Sequence, residues 1–202
     1  MALISKSQLY EHYTREFQKS RLSESFGGEQ LYTEQLLSSA RSFDSAQTYD
    51  IFLSHSYADK QEVAALYSFI RKIGYTVYVD WIQDPQLSRA NITKSTANTL
   101  RTRMRNCKSL VYAHSLNAKQ SRWVPWELGF MDAEKNRVAI LPITEEKNRP
   151  DEYKGAEYLG LYPYVTSAKT SNTKKLELWV HDAINVYISM RQWLSGKNPY
   201  KR

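Results

Sequence analysis

The 202 residues contain one cysteine, Cys107. An intramolecular disulfide is therefore excluded, as is any zinc site built from several thiolates. The thiol is expected half-buried at the end of a helix. No apolar run approaches the ~20 residues a bilayer-spanning helix needs. The opening stretch, MALISKSQLYEHYTREFQK, meets charges too early for a secretory h-region. A reducing, cytoplasmic setting is the expectation, with no membrane partner. Neither G-x-x-x-x-G-K-[ST] nor G-x-G-x-x-G occurs, so a P-loop and the dinucleotide-binding fingerprint are both absent. The four histidines (His12, His55, His114 and His181) have no acidic neighbours at ligand spacing, so no metal site is expected. Ser54 and Ser56 lack a base at any recognisable spacing, which argues against Ser–His hydrolysis.

What is present is a globular composition, 42% hydrophobic and 24% charged, with fifteen Tyr and five Trp. The formal charge of +7 and a pI near 9.3 suit an anionic partner. The basic residues are dispersed, however. The densest group, Arg101, Arg103, Arg105 and Lys108, spreads around a helix and reads as a solvated face, so nucleic acid is not the expected partner.

Along the chain, residues 1–46 read as a helical extension. Leu9, Tyr10, Tyr13 and Phe17 recur at helical spacing, Gly27-Gly28 interrupts, and 31–40 resumes. Residues 47–195 read as one domain, and 196–202 as a tail. Short strands are expected at 49–54, 75–79, 109–113, 138–143 and 162–165. Helices alternate with them, from about 59 to 73, from 93 to 106, from Pro125 onward, and over 173–194. Residues 80–91 read as a polar loop. Strands alternating with amphipathic helices imply a mostly parallel sheet covered on both faces. In such sheets ligands bind beyond the carboxyl ends of the strands. Ser54-His55-Ser56, Asp80-Trp81 and His114-Ser115 stand at those ends.

The stretch SRWVPWELGFMDAEKNR, residues 121–137, adds a carboxylate to that rim. Pro125 suits the first position of a helix. Glu127 then falls in the first turn, where unpaired N–H groups and the helix dipole favour a negative charge. Trp123 and Trp126 flank it. By itself this is also what a helix-start glutamate between two core aromatics looks like. The convergence with the strand ends is what points to a site.

These segments resemble a TIR domain over roughly residues 47–192. Residues 49–56, YDIFLSHS, are similar to the first TIR box, and 74–81, GYTVYVDW, to the second strand leading into the BB loop. Residues 123–127, WVPWE, resemble the W-x-x-x-E of TIR domains that hydrolyse or cyclise NAD. The overall look is nearer to bacterial TIR proteins of anti-phage defence than to animal receptor adaptors. The resemblance implies a flavodoxin-like α/β fold, a five-stranded mostly parallel sheet with helices on both faces. It implies cleavage of the nicotinamide–ribose bond of NAD+, with NAD+ as substrate and no separate cofactor.

Glu127 takes the place of the catalytic glutamate. Ser54, His55, Ser56 and Tyr57, together with Asp80 and Trp81, take the places of nucleotide-contacting segments. Trp123 and Trp126 would keep the site dry. Some active relatives carry arginines after the first strand, where this chain has Ser56 and Tyr57, so Arg89 is the candidate for the phosphates. Family behaviour further implies self-association that completes the site, and a downstream effector that senses the product. The rival reading is a non-enzymatic TIR interaction or adaptor module.

Overall fold

The structure, a computed structural model, describes residues 1–19, 43–84, 87, 93–115, 121, 123–145, 152–155 and 157–202, apart from the side chain of Tyr57. Its elements are β1 (Ile4–Ser5), α1 (Lys6–Lys19), β2 (Tyr49–Ser54), α2 (Lys60–Ile73), β3 (Val77–Tyr78), α3 (Asp80–Gln83), α4 (Lys94–Arg105), β4 (Cys107–His114), α5 (Val124–Lys135), β5 (Val138–Thr144), β6 (Tyr164–Lys169), β7 (Leu176–Ala183), β8 (Val186–Ser189), α6 (Met190–Leu194) and β9 (Tyr200–Lys201).

The expected five parallel strands are present in the order β3-β2-β4-β5-β6. Strand order reverses at β2, whose neighbours are β3 on one side and β4 on the other. The switch point therefore lies between the carboxyl ends of β2 and β4, where open sheets of this kind bind their ligands. Both faces of β2 are buried, as its near-continuous apolar run requires. Ile51 and Leu53 join one core with Val63, Leu66 and Ile70 of α2. Phe52 joins the other with Leu100 and Met104 of α4 and Leu128 and Met131 of α5. Gly74 stops α2 at φ 107°, a left-handed position where any side chain is strained, and its N–H closes the helix onto Ile70 and Arg71. Thr93 caps α4 by accepting from the N–H of Thr96.

Four further strands extend the sheet. The N-terminal segment is not wholly helical, because β1 lies parallel to β5, pairing Ile4 with Ile143 and Ser5 with Thr144. Ala2 also bridges to Ser167 of β6. β6 pairs with β5 only at Tyr164 and Ile140, and β1 occupies the edge left beyond that point. Leu9 and Tyr13 of α1 then enter the α2-side core. The reading of helix over 31–40 lies outside the described residues.

The long helix expected over 173–194 is replaced by an antiparallel hairpin, β7–β8, and the single turn of α6. Trp179, Val180, Tyr187 and Met190 fit a helical stripe, but the same segment also alternates. Leu178 and Val180 point inward, and Ile188 does so from β8. β-Branched and aromatic residues favour the strand, and β6 supplies an edge to pair with over six registered residues. His181, inside that segment, is consequently buried on β7 and bonded to Thr166 Oγ1 at 2.9 Å.

Two smaller differences bear on the site. The loop expected from Asp80 opens with a helical turn, α3, and Asp84 follows it. The arginine cluster is also not uniformly solvated, since Arg103 makes a bidentate bond to buried Asp84 at 2.7 and 2.9 Å and lies over Phe43. Cys107 begins β4, fully buried, and burial pushes its thiol up.

Candidate active site

α5 begins at Val124, so Pro125 is its second residue rather than its first. Glu127 supplies the first N–H bonded within the helix, to Trp123 O at 2.9 Å. Its side chain is 0% exposed. Burial on this scale requires a polar partner, and the last residue of β2 provides one. Ser54 Oγ donates to Glu127 Oε2 at 2.6 Å. The carboxylate therefore meets the carboxyl edge of the sheet at the switch point, while Leu128 and Met131 of the same helix take the apolar side.

β4 supplies the neighbouring groups on that face. Tyr112 is in register with Ser54. Burial drives the Tyr112 phenol up, and Tyr158, Tyr153, Asp59 and Glu127 add to the effect. Two residues farther along the same face, the His114 ring packs on Tyr112 with centroids 5.5 Å apart. Its Nδ1 lies 3.2 Å from the hydroxyl of Tyr153. Burial pushes the Tyr153 phenol up to about 12, so it stays protonated near neutrality.

On the opposite side of β2, His55 is 2% exposed and held at both ring nitrogens. Nδ1 faces Leu53 O at 3.0 Å, and Nε2 receives the indole N–H of Trp81 at 2.9 Å. A carbonyl only accepts and an indole N–H only donates, so these contacts select the neutral ring with its proton on Nδ1. Asp80 Oδ1 stands 3.7 Å from Nε2. Lys60, the first residue of α2, lies over the Trp81 ring.

A family model for the TIR domain matches residues 51–177, from within β2 into β7. The chain belongs to the TIR domain family. A protein of Bacillus cereus (strain MSX-D12), named "Probable 3' cyclic ADP-D-ribose synthase ThsB'", is 42% identical over 194 residues, covering 96% of this chain and 98% of that protein. TIR2 of Cytobacillus dafuensis, whose name places it provisionally among cyclic ADP-D-ribose synthases, is 31% identical over 85 residues, 42% of this chain and 22% of that protein. Among solved structures, the TIR domain of the Toll-related receptor TRR-2 of Hydra magnipapillata matches with 17% identity and a TM-score of 0.38, covering 51% of this chain and 75% of that one.

Within this TIR domain seven of the sequence-derived site residues fall into three groups. Ser54 and Glu127 meet directly. His55, Asp80 and Trp81 form a second unit across β2. Trp123 and Trp126 pack edge to face at 5.5 Å, and Trp126 continues outward onto Phe130 and under Arg101. Ser56 caps the 3-10 turn at 57–59 by accepting from the N–H of Ala58. Tyr57 begins that turn, and its side chain lies outside the described residues, as does Arg89. Sequence reasoning missed Tyr112, Tyr153 and the buried pair in which Ser115 Oγ donates to Asp59 Oδ2 at 2.5 Å. Tyr112 is indistinguishable in sequence from any core tyrosine, and Tyr153 sits in a charged stretch with no periodicity. The strand register places Tyr112 beside Ser54, and contacts with His114 and Tyr164 place Tyr153. Among the described residues, no group of three or more His, Cys, Asp or Glu could hold a metal ion. No helix among them is long and apolar enough to cross a membrane.

Proposed function

We propose that this TIR domain cleaves the nicotinamide–ribose bond of NAD+ and delivers ADP-ribose or a cyclic ADP-ribose. The observation that carries the reading is the buried carboxylate of Glu127, oriented by the Ser54 hydroxyl at the switch point of the sheet. Its resemblance over nearly the whole chain to a protein named as a 3' cyclic ADP-D-ribose synthase supports the same reading and favours cyclisation.

One carboxylate is sufficient for the chemistry. Nicotinamide departs from a pyridinium as a neutral molecule and needs no proton from an acid. The barrier lies in the positive charge that develops on the ribose. Ordinary glycoside hydrolysis divides its work between a proton donor and a second carboxylate, and here only the second role remains. Glu127 stabilises the oxocarbenium-like ribose electrostatically. The bond from Ser54 fixes the plane of the carboxylate in advance, so little reorganisation is needed as charge builds. Low exposure strengthens the attraction by excluding water.

NAD+ is the substrate in this scheme, and no cofactor takes part. Self-association through the TIR domain completes the site, and the product acts as a signal to a downstream effector in bacterial innate immunity, in the cytoplasm. Purified protein is incubated with NAD+ and the release of nicotinamide followed. Glu127→Gln lowers turnover on the order of 10²–10³-fold, the scale of one preorganised electrostatic group. Near-wild-type release by a folded Glu127→Gln protein excludes the assignment and leaves the adaptor reading. Specific activity that stays constant on dilution excludes the requirement for self-association.

A further inference from the structure

We propose that a cavity at the amino edge of the parallel strands, between the end of α5 and the end of β7, binds a small alkylguanidinium or alkylammonium molecule. Glu127 opens α5, whereas the cavity lies where that helix ends, at the opposite edge of the sheet. The site therefore goes beyond the NAD+-cleaving reading and does not need it.

Three stretches of chain build the cavity. Asn136 ends α5 in a left-handed conformation, φ 49°, and Arg137 leads directly into β5. Pro163 precedes β6, and Asp182 follows His181, the registered partner of Tyr164, at the same edge. Trp193 of α6 closes the remaining side, and the lining encloses about 340 Å³. That volume falls in the range small ligands occupy. The Arg137 guanidinium ties the walls together. Its Nη1 donates to Asn136 O at 3.1 Å, its Nη2 donates to Gly196 O at 2.6 Å, and the group lies over the Trp193 ring.

The lining selects the charge of the occupant. Asp132 and Asp182 set two carboxylates against one guanidinium, in a chain whose formal charge is +7. Asp132 Oδ2 accepts from the hydroxyl of Tyr162 at 3.2 Å. Among the described residues no hydrogen bond or ion pair reaches the Asp182 carboxylate. Burial raises that carboxyl above its ordinary value, and no cation offsets the effect. A bound cation would replace the hydration the carboxylate has lost. An anion would meet both carboxylates, while the terminal nitrogens of Arg137 are turned to backbone carbonyls.

The remaining walls select an organic cation over a metal ion. Among the described residues no group of three or more His, Cys, Asp or Glu could hold a metal. The Tyr162 ring lines the cavity and offers a cation its π-face. Leu161, 81% exposed, and Pro163 offer apolar surface to methylene groups.

Isothermal titration with agmatine, a guanidinium and an ammonium joined by a short alkyl chain, tests the site. Wild type should bind it with a Kd below about 1 mM, and neutral butylurea should not bind. Asp182→Asn, close to isosteric, should weaken binding about tenfold, as loss of a charge-assisted bond does. Asp132→Asn should act in the same direction and covers the case in which the first variant does not fold. Glu134→Gln removes a carboxylate of α5 that pairs with Arg105 outside the cavity, and should leave binding unchanged. No saturable binding up to roughly 10 mM overturns the proposal, as does a folded Asp182→Asn protein that binds like wild type. An equal loss in Glu134→Gln would show general attraction instead of a site and overturns it too. Tighter binding of the peptide Gly-Gly-Arg-Gly-Gly than of agmatine overturns the small-molecule occupant. The titration contains no NAD+, so its result stands apart from that of the cleavage assay.

Discussion

Ser54 Oγ, on the last residue of β2, donates to Glu127 Oε2 at 2.6 Å across 73 positions of sequence. Both residues are 0% exposed. The bond joins the switch point of the sheet to the first turn of α5, and it defines the direction in which the carboxylate faces.

Ser54→Ala tests whether that direction matters for turnover. A bond to a charged group contributes roughly 1.5–3 kcal/mol, and the variant should lower nicotinamide release about tenfold, equivalent to ~1.4 kcal/mol. In a Glu127→Gln background the same change should add little, because the group it orients has lost its charge. Independent, multiplicative effects in this double-mutant cycle would show that Ser54 acts by another route.

Arg103→Ala leaves Asp84 buried with only part of its hydrogen bonding, from Tyr78 Oη at 2.7 Å. Removing one partner of such a pair costs on the order of 3 kcal/mol. At ~2–4 °C per kcal/mol for a domain of this size, the thermal midpoint should drop by roughly 10 °C. Arg103→Lys restores the charge but not the two-pronged geometry and should recover only part of the loss. A melting curve superimposable on wild type for Arg103→Ala would refute a stabilising role.

Asp50 links stability to acid pH. Burial pushes its carboxyl up, but bonds from Lys108 Nζ at 2.8 Å and from Thr76 outweigh this and hold it below the ordinary carboxylate value. A lowered folded value means the unfolded chain binds the proton more readily. The contribution is therefore complete above the unfolded value, about 3.9, and is lost as pH falls through the folded one. Urea midpoints of wild type and Asp50→Asn should differ at pH 6 and converge as the pH is taken below about 4. A gap that widens on acidification contradicts the sign.

Ile4 tests whether the first strand belongs to the core. It is 0% exposed and paired with Ile143. Ile4→Ala should destabilise the protein by about 2–5 kcal/mol, read from chemical denaturation, as for other large-to-small changes in a core. A change below ~0.5 kcal/mol would mean that β1 is peripheral.

Much of the fold was readable from local pattern. The strand over 49–54 and the helices expected over about 59–73 and 93–106 each depend on neighbours within one or two turns. The segment 176–189 was not readable in the same way. Its apolar residues satisfy both a helical stripe and strand alternation, and the choice fell to the edge that β6 offers. β1 was hidden for a related reason, since two residues of strand carry no periodicity and exist because β5 has an unpaired stretch beside them. In the site, the place of Glu127 followed from Pro125 and the helix start. The partners of Asp84 and the outward packing of Trp126 did not, because each depends on a residue remote in sequence.

By itself the sequence determined the alternation of strands and helices, the five-strand parallel core with its carboxyl rim, and a carboxylate in the opening turn of one helix. These follow from periodicity, capping and backbone chemistry acting over a few residues. Only the tertiary structure decided that Ser54 holds that carboxylate, that His55 is locked by Trp81, and that His114 stands one strand away beside Tyr153. Side-chain partners across a sheet are selected by register and burial, and no short stretch of chain encodes either.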